Sequence, residues 1–273
     1  MKTQAVSSKL SPAQRKRLRL LLTKKGRAEL GEFIGEGIRL LEESIHLGRL
    51  PLRVYYAEAK VADRGRSLLH DFKKAGVVIR AISALEMKQL SDTETSQGMI
   101  GIFKKPEFTS AELYKDNSRR IMLLDNISDP GNAGTLVRSA LAFGFDLALF
   151  STESVEPFNP KVVRASAGAI LGLPIITVSI SDIAVLKAKR DLTVILGDLR
   201  GERLDTAVEH ISPEKAIILV IGSESAGVSN ELRELADITV RIDHETRVES
   251  LNAAVAGSII MKELHDRSGK RSQ

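Results

Sequence analysis

The chain has 273 residues, 43% of them apolar and 27% charged, which suits one large globular domain or two of ordinary size. It has no Cys, so a disulfide scaffold, a thiolate metal site and a Cys nucleophile are excluded. The five His (His46, His70, His210, His244, His265) share no short metal-ligand spacing, no apolar run reaches the roughly 20 residues that span a bilayer, and the start does not read as a secretory signal. The expectation is a cytoplasmic protein with no metal and no membrane segment.

The net charge of +5 is unevenly placed. Residues 1–30 carry nine Lys or Arg, among them Arg15, Arg17, Lys24, Lys25 and Arg27, against the single acid Glu29. A basic arm on a near-neutral body suits a polyanion, because clustered cations displace counterions from phosphates. The same stretch also reads as the solvated face of an amphipathic helix, since Leu18, Leu21 and Leu22 lie among the charges. A short basic tail (Arg267, Lys270, Arg271) reads as a chain end.

In chain order, residues 11–46 read as helices from the spacing of Leu18, Leu21 and Leu22 and of Ile38, Leu41 and Ile45. A strand over 52–57, a helix over about 61–74 ending at Gly76, a strand over 77–79, a helix capped by Ser83 and a strand over 99–103 follow. Residues 106–120 read as a polar linker. Beyond it, apolar strands over 121–124, 147–150, 175–178, 193–196, 216–221 and 238–242 alternate with helices. Such continuous apolar runs suit a mostly parallel sheet covered on both faces. The fold class is α/β. The expected domains are a basic helical arm (1–26), an N-terminal domain (27–105), the linker and a C-terminal domain (121–267).

Ligands of parallel α/β sheets bind at the carboxyl ends of strands, and three junctions there are rich in Gly and polar residues. The first runs Asp125 to Gly134, where Asp129-Pro130-Gly131-Asn132 reads as a tight turn. In the helix after it, Leu136, Val137, Ala140 and Gly144 form the apolar side and Arg138 points away from it, towards solvent or a ligand. The second is Gly222 to Gly227 with Glu224, directly after the strand 216–221. The third is Glu249-Ser250-Leu251-Asn252, opening a last helix that reads as buried because residues 250–261 carry no charge. Asn252 there is either a satisfied core amide or an amide that orients a ligand. The chain has neither a G-x-G-x-x-G fingerprint nor a G-x-x-x-x-G-K-[ST] phosphate loop.

In this order, the three junctions resemble the motifs of the SpoU-type (TrmH-like) RNA ribose 2′-O-methyltransferases of the SPOUT superfamily. Asn126, Asp129, Pro130, Asn132, Gly134 and Arg138 carry the first motif, Gly222, Glu224 and Gly227 the second, and Ile242 with Glu249 to Asn252 the third. Residues 164–169 also match a segment typical of the family. Residues 27–105 resemble its ribosomal-protein-like substrate-binding domain through Phe33, Glu36, Gly37 and Gln97-Gly98. The family usually has Pro and Gly where this chain has Asp243 and Thr246, and Ser225 replaces a common Gly.

The resemblance implies a trefoil-knotted C-terminal domain, a homodimer and S-adenosyl-L-methionine as cofactor, bound by Gly222, Gly227, Ile242 and Leu251. It implies a catalytic group of Arg138, Asn132, Glu224, Ser250 and Asn252; from its charge, the basic arm with Arg15, Arg17, Lys24, Lys25 and Arg27 is expected to contact RNA. The activity implied is methylation of a ribose 2′-hydroxyl in structured RNA, ribosomal RNA ahead of transfer RNA. The alternative is a non-catalytic RNA-binding or ribosome-assembly protein that retains the fold.

Overall fold

A computed structural model of the chain describes residues 9–91, 93, 95–106, 113, 118–212, 215–224, 226–245 and 247–269. Ser225, Thr246, Lys270, Arg271 and most of the expected linker lie outside these residues. The chain divides into two compact units, residues 1–106 with 158–172, and residues 107–157 with 173–273.

The first unit opens with α1 (Pro12–Leu20) and α2 (Lys24–Leu30). Ser11 caps α1 by accepting from Gln14 N, and the Gln14 side chain returns to the Ser11 N–H, a reciprocal capping box. The chain continues through β1 (Glu32–Glu36), α3 (Ile38–His46), β2 (Arg53–Tyr56), α4 (Asp63–Lys74), β3 (Val78–Ala81), α5 (Ala84–Leu90) and β4 (Met99–Lys104). The sheet order is β1-β4-β2-β3, antiparallel except for the β2–β3 pair. Leu18 and Leu21 pack with Ile34, Tyr55, Met87, Ile100 and Ile102 in its core.

Strand β1 corrects the reading of 11–46 as helix throughout. Its sequence, Glu-Phe-Ile-Gly-Glu, is short and holds a glycine, which hides a strand from pattern reading. Gly35 is needed there because a Cβ would come within 2.6 Å of Leu40 and 2.8 Å of Phe103. The residues that carried the resemblance here are structural. Gln97 Oε1 accepts from Ile38 N at 2.8 Å, and Glu36 Oε1 accepts from Ser91 Oγ at 2.6 Å and Thr93 Oγ1 at 3.0 Å.

Residues 158–172, expected within the C-terminal domain, pack in the first unit instead. Helix α7 (Pro160–Ala165) lies against β1, and the Phe158 ring meets that of Phe33 at 4.8 Å between centroids. The 164–169 segment therefore belongs to this unit.

The second unit holds β5 (Arg120–Asp125), α6 (Pro130–Ala142), β6 (Leu147–Ser151), β7 (Ile175–Val178), α8 (Ile180–Lys189), β8 (Leu192–Arg203), α9 (Leu204–Ala207), β9 (Ala216–Gly222), α10 (Asn230–Glu234), β10 (Ile238–Arg241) and α11 (Ala253–Gly269). Its six strands are all parallel, in the order β10-β8-β9-β5-β6-β7. The run 216–221 is buried throughout, as a central strand covered on both faces requires. Ala216, Ile218 and Val220 join Ile121, Leu123, Leu149 and Val194 in one core layer. On another side α11 packs closely on α6 and β9. A Cβ on Gly257 would lie 2.5 Å from Leu136 and 3.2 Å from Ile221, and Ser139 and Ser258 share a hydroxyl hydrogen bond of 2.7 Å.

Two details differ from the sequence reading. Strand β8 runs twelve residues where four were expected, and its pairing with β10 jumps from Thr239–Leu196 to Val240–Glu202. Residues 197–201 leave the ladder between those pairs. Helix α11 starts at Ala253 and is not buried all round, since Val255 is 48% and Ile259 39% exposed.

Candidate functional site

At the carboxyl end of β5, Asp125 is fully buried, and its Oδ2 accepts from Ser229 N at 2.7 Å, which fixes the start of α10. Asn126 follows in the left-handed region at φ 56°, a conformation that Asn tolerates better than most residues. Its N–H donates to Ser151 Oγ at 3.1 Å, and that of Ile127 donates to Ser154 Oγ at 3.1 Å, so the turn is pinned to β6.

Asp129-Pro130-Gly131-Asn132 is not the tight turn expected of it. Asp129 is the N-cap of α6, Pro130 occupies the first turn, and Asp129 Oδ1 accepts from Asn132 N at 2.7 Å. This cap sets the start of the helix and so the place of Asn132.

Asn132, Glu224 and Asn252 come from three separate junctions and meet in one hydrogen-bonded group. Glu224 Oε1 accepts from Asn132 Nδ2 at 3.0 Å, from Asn252 Nδ2 at 2.5 Å and from Ala253 N at 3.1 Å. Asn252 Nδ2 also donates to Asn132 Oδ1 at 3.0 Å. Asn252 is exposed rather than a core amide. Its Oδ1 accepts from Ala254 N and Val255 N at 2.9 and 3.2 Å, so the residue caps α11 while its amide nitrogen faces Glu224.

Beside this group lies a cleft of about 410 Å³ at the carboxyl side of β8, β9 and β10. Gly222, Gly227, Ile242 and Leu251 line it, as do Glu224 and Ser250. The apolar share of its wall comes from Ile221, Val240, Ile242, Leu251 and Ile260. An apolar cleft with a few polar groups at its edge suits a small organic ligand. The backbone is drawn tight at the second junction. A Cβ on Gly222 would lie 2.4 Å from the Gly227 carbonyl carbon and 2.5 Å from Val228 N, and Gly227 itself stands at φ 68°. Glycine at both positions closes the turn, with Ser223 and Gly227 exchanging backbone hydrogen bonds of 3.1 and 2.9 Å.

The structure adds residues that sequence reading missed. Asp198 and Arg200, on the 197–201 excursion, line the same cleft, as do Arg241 and His244. Burial pushes the Asp198 carboxyl up, but hydrogen bonds from Arg200 and Arg233 outweigh it and hold the group at about 2. Arg241 Nη1 donates to Gly201 O at 2.8 Å and its Nε to Asp243 Oδ1 at 3.0 Å; Arg203 reaches Asp243 from the other side at 3.3 Å. Asp243, which replaces the family's usual Pro, is thus tied down by two arginines. The available signal was the spacing of Gly197 and Gly201, which can release a strand from its ladder.

Arg138 lies on the exposed face of α6, where it makes no hydrogen bond or ion pair among the described residues and does not line the cleft. The expected RNA-contacting cations divide. Arg15, Lys24 and Lys25 are exposed. Arg17 is held by Glu32 at 2.8 Å. Arg27 is buried at 2% exposure and its Nη1 donates to Leu21 O at 2.8 Å, so it serves the helix pair from inside and is not a surface cation. Lys16 and Arg19, not singled out from sequence, line a shallow groove with Arg15 and Gln89. Among the described residues, no group of three or more His, Asp or Glu is placed to hold a metal ion, and no helix is long and apolar enough to cross a membrane.

The chain matches known proteins over most of its length. Residues 119–262, more than half of the chain, match the model of the SpoU rRNA Methylase family, and residues 13–101 match that of the MRM3-like substrate binding domain. The 23S rRNA (guanosine(2553)-2'-O)-methyltransferase RlmP of Bacillus subtilis is 28% identical over 253 residues, covering 89% of this chain and 92% of its own length. Mitochondrial rRNA methyltransferase 3 of Homo sapiens is 27% identical over 289 residues, covering 87% and 68%. The crystal structure of the AdoMet-bound rRNA methyltransferase from Sinorhizobium meliloti superposes with a TM-score of 0.79 at 25% identity, covering 95% of this chain and 97% of that one.

Proposed function

The chain belongs to the SpoU rRNA methylase family, and we propose that it is an S-adenosylmethionine-dependent RNA methyltransferase that acts on a ribose 2′-hydroxyl of ribosomal RNA. The observation that carries this reading is the meeting of Asn132, Glu224 and Asn252 beside the cleft at the strand ends. The named relatives are rRNA methyltransferases, and the named structure holds AdoMet.

The cleft suits the cofactor: its apolar wall accepts a nucleobase, and the tight Gly222–Gly227 turn forms part of its edge. Gly222, Gly227, Ile242 and Leu251 hold it there. When bound, the cofactor would supply a sulfonium methyl that passes to the ribose oxygen as the sulfur–methyl bond breaks, leaving the neutral thioether S-adenosylhomocysteine, with the hydroxyl proton released to solvent.

The chain must then orient that hydroxyl and stabilise the charge that develops on it. Glu224 fixes the amides of Asn132 and Asn252, and Ser250 stands at the same cleft edge. Arg138 is the catalytic cation. A guanidinium keeps its proton in proteins, so it stabilises the developing alkoxide and holds the adjacent RNA phosphate rather than acting as a base. Arg15, Lys24 and Lys25, with Lys16 and Arg19, contact RNA.

The C-terminal domain is proposed to carry a trefoil knot, which rests on membership of the SpoU rRNA methylase family. The protein works as a homodimer. The exposed Val255 and Ile259, one turn apart on α11, support an apolar contact between copies. The proposed location is the cytoplasm, which the likeness to a bacterial rRNA methyltransferase supports.

Calorimetric titration with S-adenosylmethionine, followed by transfer of labelled methyl to ribosomal RNA and mapping of the 2′-O-methyl, tests the reading. One-site binding and a single methylated ribose are expected. A folded protein that binds no cofactor at millimolar concentration, with and without RNA, refutes it.

A further inference from the structure

The cleft is bounded by three segments that are distant in sequence: the 197–201 excursion, the 222–228 turn and the 240–251 loop. Between Leu196 and Glu202 the first of them makes no pairs with β10, and the other two run out from the ends of β9 and β10. Two arginines cross-link them.

Arg241 ties the third segment to the first through Gly201 O. Arg233, on α10, stands outside the cleft and does more. Its Nη2 meets Asp198 Oδ2 at 2.6 Å, and its Nε donates to Val228 O at 2.9 Å. One guanidinium therefore grips the first segment through a carboxylate and the second through a carbonyl. It also lies against the turn at the point where a Gly227 Cβ would be, 3.0 Å from Nη2. The pair is largely covered, with the Asp198 side chain 12% and the Arg233 side chain 25% exposed. Asp198 is held from its other side by Arg200, whose Nε and backbone N–H both donate to Oδ1 at 3.0 Å. A planar fork that bonds in two directions is something Lys cannot reproduce.

We propose that Arg233 is a positioning residue for the S-adenosylmethionine cleft, clamping the 197–201 excursion to the 222–228 turn through Asp198 and Val228, with no part in the methyl-transfer step. This rests on the cofactor reading above. Its physical content is preorganisation: with the clamp in place the cleft wall is built before the ligand arrives, and without it the ligand must order two segments as it binds. The loss appears in cofactor affinity, not in turnover at saturation.

The test uses the full chain and calorimetry with S-adenosylmethionine on wild type, Arg233→Met, Arg233→Lys, Asp198→Asn and the double variant Asp198→Asn/Arg233→Met. Lys187→Met serves as control, because it breaks an ion pair of similar length with Asp237, 2.6 Å, away from the cleft. Arg233→Met is expected to raise Kd at least tenfold while kcat at saturating cofactor stays within about threefold. Arg233→Lys is expected to fall between it and wild type. Asp198→Asn is expected to cost much less on the Arg233→Met background than on wild type, as coupled residues do. Hydrogen exchange without cofactor is expected to quicken in 197–201 and 222–228 in Arg233→Met and not in Lys187→Met.

Variants that bind within twofold of a wild type that does bind overturn the clamp and leave the cofactor reading intact. So does a lower kcat at unchanged Kd. A wild type that binds no cofactor overturns the cofactor reading itself, and the clamp with it. Should Arg233→Met fail to fold, Arg233→Lys and Asp198→Asn carry the same comparison.

Discussion

Gly222→Ala tests whether the second junction is shaped by backbone contact. The added methyl would sit 2.4 Å from the Gly227 carbonyl carbon and 2.5 Å from its oxygen and from Val228 N. All three are backbone atoms, so no side chain can swing aside. The turn must open, and opening breaks the two Ser223–Gly227 backbone hydrogen bonds of 3.1 and 2.9 Å. Forced overpacking costs about 1–3 kcal/mol and each of the two lost bonds about 1 kcal/mol net, so the variant is destabilised by roughly 3–5 kcal/mol. For a unit of this size that lowers the midpoint of its thermal transition by about 6–20 °C. The assay is calorimetric unfolding of wild type and variant side by side, with cofactor titration on each. Both stability and cofactor affinity are expected to fall. A midpoint within about 1 °C of wild type and unchanged affinity refute the argument, because the clash would then be relieved at no cost.

Three further outcomes are expected. Arg138→Ala keeps cofactor affinity and loses at least about 100-fold in kcat, since it removes a charge needed only as the alkoxide forms; single-turnover methylation reads this, and near-normal turnover refutes the assignment. Replacing Arg15, Lys16 and Arg19 together by Ala lowers the slope of log affinity for RNA against log salt by about 2–3, since each phosphate contact contributes about 0.7 on a single strand and about 0.9 on a duplex; an unchanged slope in filter binding moves the RNA face elsewhere. Asp198 is depressed from 3.8 to about 2 in the fold, so its contribution to stability is complete above the ordinary value and is lost as pH falls through about 2. Acid denaturation of Asp198→Asn is therefore expected to show a shallower fall between pH 4 and 2 than wild type, and identical acid limbs count against the stated ion pairs.

Much of this was legible in the sequence, for physical reasons that differ by element. The run 216–221 announced a central strand because a strand covered on both faces must be apolar throughout. The three junctions were legible because Gly, Asn and acids at strand ends stand out against apolar strands. Their union was not, since nothing local says that Asn132 and Asn252, 120 residues apart, share one carboxylate. Strand β1 was hidden by Gly35, and the full length of β8 by Gly197 and Gly201, because glycine weakens the strand signal where close packing requires it. Arg27 and Arg17 were misleading in the other direction. A basic run shows charge but not which cations the fold uses internally, and here Leu21 O and Glu32 claim two of them. The apolar sequence of α11 likewise suggested full burial, whereas Val255 and Ile259 are left in the open.

The jump in the β8–β10 ladder has an engineering meaning. Leu196 and Glu202 pair with Thr239 and Val240, which are consecutive, so the five residues between them hang from two anchor points on one neighbouring strand. Of these five, Asp198 and Gly201 are held by Arg233 and Arg241, so the exposed Leu199 at the cleft is the position where side chains can be exchanged to change which ligands the cleft admits.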